Sequence, residues 1–119
     1  MPLTKQQLLI PRVLCIGGKD GEPNYPGSRF MTGDIIEKNG RDYWSVKADA
    51  WLNQTTVDKF PHLFKPLPWW ERDESELPEY VKSIETGRVY KRIKSVKAYE
   101  GFEPADEADY QEYQKQKEA

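Results

Sequence analysis

The chain has 119 residues, 37% of them hydrophobic and 32% charged, and its 18 basic and 20 acidic side chains leave a net charge of −2. That balance gives no global attraction to nucleic acid or to an anionic membrane, so any such contact must come from a local patch. A single cysteine, Cys15, excludes an internal disulfide and a thiolate metal cluster and favours a reducing compartment.

Length fits one domain with one core. Four Trp, seven Tyr and four Phe supply much of its bulk, since each ring can bury on the order of 150–250 Å². At the N-terminus Leu3 to Ile10 reads as a helical turn or an arm. The apolar run is broken by Pro11 and Arg12, which reads as neither a signal peptide nor a membrane span, so a cytoplasmic protein is expected. "RVLCIGG" (12–18) is a short buried strand stopped by glycines. "KDGEPNYPGSRFMTG" (19–33) has the composition of an exposed loop long enough to bind something.

In "DIIEKNGRDYWSV" (34–46) two strand-like runs flank Asn39-Gly40, which predicts an antiparallel hairpin with a type I′ turn. Ile36 and Ile35 then face opposite ways, as do Tyr43 and Trp44. Thr55 or Thr56 is placed to cap a short helix with Asp58 near its positive end. Pro61 should stop it or tighten it, and Val57, Phe60, Leu63 and Phe64 recur at helical spacing as a plug for one end of a sheet. "KPLPWWE" (65–71) is expected to be extended, because residues before proline avoid the α region. "EYVKSIETGRVYKRIKSVKAY" (79–99) reads as a second hairpin turning at Gly87, with a helix over 78–84 as the competing reading. Residues 103–119 are polar and acidic, which predicts a frayed helix or a disordered tail beyond a compact β-rich domain at 1–102. The expected fold is mainly β (α+β): a small bent antiparallel sheet, or an SH3-like partial barrel, with one short helix.

Few residues offer catalysis. His62, the sole histidine, lies in a packing segment, and Cys15 lies in an apolar strand, where it serves as a small hydrophobe. The glycines of 17–27 do not match a phosphate loop, and Glu71, Asp73, Glu74, Glu76 and Glu79 lack the order of a calcium loop. No catalytic residue, cofactor or metal is expected. The basic run is more informative. Arg88, Tyr90, Lys91, Arg92, Lys94 and Lys97 form a candidate track for a phosphate backbone with a ring for stacking, unless the bases serve only to deter edge pairing. The acids of 71–79 and of the tail would offset it.

Trp69 and Trp70 are adjacent. On an extended segment their rings point to opposite sides, so one enters the core and the other is left for the surface or a partner. Trp69, Trp70, Arg72, Tyr80 and Trp44 are therefore the candidate protein-binding residues. "FMTGDIIE", "FPHLFKPLPWWERDESELPEYVK" and "GRVYK" together resemble a pattern in small uncharacterised phage and prophage proteins of Bacteroidetes-type hosts, over residues 30–93. The resemblance implies an accessory protein of a phage or mobile element in the host cytoplasm and transfers no catalytic residue. The expected partner is another protein or a second copy of the chain, with nucleic acid as the alternative.

Overall fold

The computed structural model describes residues 2–118; residues 1 and 119, the outer ends of the two segments expected from the sequence, lie outside the described residues. In chain order the elements are α1 (Lys5–Leu8), β1 (Arg12–Cys15), β2 (Ile35–Asn39), β3 (Asp42–Ser45), β4 (Ala50–Leu52), α2 (Gln54–Lys59), β5 (Phe64–Leu67), a 3₁₀ turn (Glu74–Glu76), β6 (Tyr80–Ser83), β7 (Val89–Lys91), β8 (Phe102–Ala105) and α3 (Glu107–Glu118). The fold is mainly β, as expected, but the strands form two antiparallel sheets. The residues divide into two compact units, Ile10–Pro68 and Met1–Leu9 with Trp69–Ala119, where the sequence suggested a single core over 1–102.

In the Ile10–Pro68 unit the strand order is β4-β3-β2-β1-β5. Its two edges are not joined, so the sheet stays open instead of closing toward an SH3-like barrel. β5 carries Pro66, which an edge strand tolerates because one side of the strand has no ladder to feed. The period-2 pattern sends Val13, Cys15, Ile36, Tyr43, Leu52 and Phe64 into one core, where Phe30 and Val57 cover them. Phe30 meets Phe64 edge to face, with centroids 6.5 Å apart.

The hairpin at 34–46 forms with a different turn. Asn39 pairs with Asp42, leaving Gly40-Arg41 as the two-residue loop. Gly40 has φ 77° and Asn39 and Arg41 are not in the positive region. That is the type II′ pattern, in which glycine takes the first central position and Asn39 stays in the strand. Ile36 is buried and Ile35 exposed; Tyr43 is buried and Trp44 lies half-buried on the other face. Helix α2 is capped two or three residues earlier than expected. Asn53 Oδ1 accepts from the Thr55 N–H at 2.7 Å, a geometry the shorter amide side chain serves well at an N-cap.

The 19–33 segment is stitched down along its length. Met31 bridges Pro23, Asn24 N–H donates to Phe30 O and Thr32 N–H donates to Glu22 O. Asn24 and Thr32 are buried beneath it, so a composition typical of a loose binding loop here encloses a polar lock.

In the other unit the order is β7-β6-β8. Residues 103–119 differ most from expectation. Phe102–Ala105 adds a third strand to the β6/β7 hairpin, and α3 lays Tyr110 and Tyr113 over Tyr80, Val89 and Ala105. Asp106 and Asp109 satisfy each other's backbone N–H groups at 3.0 and 2.9 Å, as a reciprocal N-terminal cap. Acids in the first turn and lysines in the last suit the helix dipole. Two tyrosines three residues apart are enough to hold a helix that is otherwise polar. Helix α1, capped by Thr4 and Gln7, sends Lys5 Nζ to Asp109 at 2.7 Å.

Candidate functional site

The β7-β6-β8 sheet has two unlike faces. Tyr80, Val89 and Ala105 lie under α3. The opposite face carries Val81, with Tyr90 as its cross-strand partner, and Phe102 two pleats along. It forms one wall of a cleft of about 410 Å³ whose lining includes Val81, Tyr90, Ile93, Val96, Tyr99 and Phe102. β7 ends at Lys91, and the chain turns over this face at Ile93–Val96. Tyr99 pins the turn, its hydroxyl donating to Ile93 O at 2.9 Å while its ring stacks on Trp69 at 5.7 Å. Tyr90 is 44% exposed, Ile93 63% and Val96 39%. Three large apolar side chains open to water around one concavity make the kind of patch that marks an interaction surface.

Trp69 and Trp70 do not diverge as expected. They sit in a turn, not on an extended strand, and both are half-buried. Their rings touch edge to face with centroids 5.8 Å apart, and Trp69 Nε1–H donates to Phe102 O at 3.0 Å. The paired indoles thus buttress Tyr99 and the end of β8. Arg72 is also turned inward. Its side chain is 7% exposed and reaches toward Glu76 at 3.7 Å. Tyr80 is buried under the stacked ring of Tyr110, and its hydroxyl donates to Glu107 Oε2 at 2.7 Å. That bond, with burial behind it, pushes the Tyr80 phenol up to about 12. Trp44 belongs to the other unit, where it meets its cross-strand partner, the exposed Trp51, at 4.9 Å.

The basic run does not form one straight track. Arg88 and Lys91 are exposed, but Arg92 is half-buried with its side chain turned inward: its Nε–H donates to Pro78 O at 2.7 Å and its Nη2 to Glu74 at 2.6 Å. Lys97 also approaches Glu74, at 3.7 Å. The Arg92 hydrogen bond holds the Glu74 carboxyl below its ordinary range. Glu74 therefore serves this run from within, and β-alternation fails past Lys91 because Arg92 is drawn to it. Among the described residues Arg88, Lys91 and Lys94 make no ion pair. Lys91 and Lys94, with Glu79 and Arg92, line a second hollow of about 300 Å³ beside the apolar cleft.

Ile93, Val96, Tyr99 and Phe102 were not legible as a site. The signal in the sequence was a pair of aliphatics three residues apart inside a lysine-rich segment, which an ideal strand would have split between faces.

Cys15 is 1% exposed, and burial, with Asp34 adding to it, pushes its thiol up to about 11. His62 is exposed and rests against Phe60. Among the described residues no group of three or more His, Cys, Asp or Glu side chains is placed to hold a metal ion, and no helix is long and apolar enough to cross a membrane. Comparison with protein-family models, with curated proteins and with solved structures finds no match.

Proposed function

We propose that this chain is a non-enzymatic protein-binding module whose contact surface is the apolar cleft of the β7-β6-β8 unit. The observation that carries the reading is the exposure of Tyr90, Ile93 and Val96 around a concavity of about 410 Å³. That volume suits one or two apolar side chains from a partner, and exposed apolar area of this kind costs solubility unless something covers it. Joined to the resemblance in its sequence, the reading makes the chain an accessory protein of a phage or mobile element. Nucleic acid is the second reading, favoured by Arg88, Lys91 and Lys94, which make no ion pair among the described residues, in the same stretch as the exposed Tyr90 ring.

Selection of random peptides on the immobilised protein tests the first reading. Enriched peptides should lose binding to an Ile93→Ser variant and keep binding to Trp51→Ala, which changes an exposed ring on the other unit. Peptides indifferent to Ile93→Ser would refute the cleft as the binding surface.

A further inference from the structure

Resting on that reading, we propose that the cleft takes an acidic polypeptide segment which inserts one bulky apolar side chain and lays its carboxylates along the lysine rim. The argument is charge complementarity around a hydrophobic hole. Residues 88–97 contain Arg88, Lys91, Arg92, Lys94 and Lys97 and no acid. Glu74 meets Arg92 and Lys97, whereas Arg88, Lys91 and Lys94 have no ion-pair partner among the described residues. Lys91 lines both the apolar cleft and the neighbouring hollow, where Lys94 joins it. A side chain seated against Val81 and Phe102 therefore has cationic surface beside it, within reach of the next residues of the same segment.

Polynucleotide fits less well. A base needs an open ring face, and of the cleft's aromatics only Tyr90 offers a large one, because Tyr99 is 5% exposed and already stacked on Trp69. Arg92, the middle of the basic run, is engaged by Glu74 and Pro78 O. Glu79 shares the hollow with Lys91 and Lys94 and opposes any anion there, a disadvantage that grows with the evenly spaced charges of a phosphate backbone and is smaller for a short segment with a few carboxylates.

Amide NMR of the full chain can decide. The probes are a capped pentapeptide with phenylalanine between pairs of glutamates, the same peptide with lysines for the glutamates, the glutamate peptide with alanine for phenylalanine, and a short oligothymidylate. The proposal expects the glutamate–phenylalanine peptide to shift signals of Val81, Tyr90, Ile93 and Val96. It should bind about tenfold more tightly than the lysine version, as three surface ion pairs of ordinary strength would give. The alanine peptide should lose most of the effect. Lys91→Glu with Lys94→Glu, both exposed positions, should reverse the charge preference while leaving the spectrum otherwise dispersed.

Equal binding of both phenylalanine peptides at the cleft would overturn the acidic partner and leave the protein-binding reading intact. If the phenylalanine peptides leave the cleft signals unmoved, both fail. Tighter binding of oligothymidylate overturns the proposal in favour of nucleic acid. Dimerisation in sedimentation that Ile93→Ser abolishes overturns it in favour of a second copy of the chain.

Discussion

Asn24 is the residue whose removal should be felt most clearly, because it ties three segments of the Ile10–Pro68 unit together from a fully buried position. Its Oδ1 accepts the Gly17 N–H at 2.7 Å, and its Nδ2–H donates to Leu63 O at 3.1 Å. In Asn24→Ala the Gly17 N–H loses that acceptor from a part-buried bond, at a cost of about 1–2 kcal/mol. Leu63 O keeps a bond from Ile16 N–H, so that arm forfeits only the net worth of one hydrogen bond, about 1 kcal/mol. The sum is about 2–3 kcal/mol, or roughly 30- to 160-fold in an opening equilibrium. Cys15 reports it directly. The thiol is sealed in the core, with its pKa pushed up to about 11, so a thiol reagent at neutral pH reaches it only through the opened unit, and the labelling rate scales with the opening constant. Asn24→Ala should accelerate labelling by a factor in that range, with the unfolded protein labelled at an unchanged rate. An acceleration of less than about threefold, under 1 kcal/mol, would refute the view that Asn24 locks the 19–33 segment.

The β7-β6-β8 unit should lose stability on acidification. Hydrogen bonds to Glu74 from Arg92 and to Glu107 from Tyr80 hold both carboxyls below their ordinary 4.5; for Asp109 burial is the largest influence and raises it, but the Lys5 bond, the Asp106 N–H and the Lys5 charge together outweigh burial and hold it below 3.8. Folded values that are depressed contribute stability above the unfolded pKa and lose it as pH falls through the folded ones. Emission from Trp69 and Trp70 in a Trp44→Phe/Trp51→Phe background should show the melting temperature dropping below about pH 4, and a flat profile there would contradict this. At the other extreme the raised Tyr80 phenol contributes stability below 10.0 that disappears as pH rises through about 12. Ultraviolet titration should show a tyrosinate step near that value whose amplitude falls by one tyrosine in Tyr80→Phe. Trp69→Phe removes the indole bond to Phe102 O and shrinks the stack on Tyr99, and should cost this unit about 1–2 kcal/mol in urea unfolding.

Where a local rule acted alone, the sequence was readable. Alternation separated Ile36 from Ile35 and Tyr43 from Trp44, and glycines marked both hairpins, because period 2 and positive φ are properties of the residues themselves. The II′ turn instead of I′ shows the limit: Asn39-Gly40 fixes where a chain turns, but pairing of Asn39 with Asp42 decides which residue takes the first corner. The double tryptophan was misread because the rule of opposite faces holds only on an extended segment, and Pro68 leads into a turn. The tail's helix was one of the expected states, but its packing was not foreseen, because its two tyrosines acquire value only from Tyr80 and Val89, which lie far away in sequence. For the same reason the cleft was illegible. It exists because Arg92 folds in to Glu74 and Tyr99 reaches back to Ile93, contacts that no spacing within 88–97 announces.

The most direct test is to ask which side chains a bound polypeptide touches. With a peptide selected on the immobilised protein, methyl NMR should show the Val81, Ile93 and Val96 signals moving together while Ile35, also exposed but on the other unit, stays still. Shifts centred on Ile35 and Val46, with Ile93 and Val96 unmoved, would contradict the account.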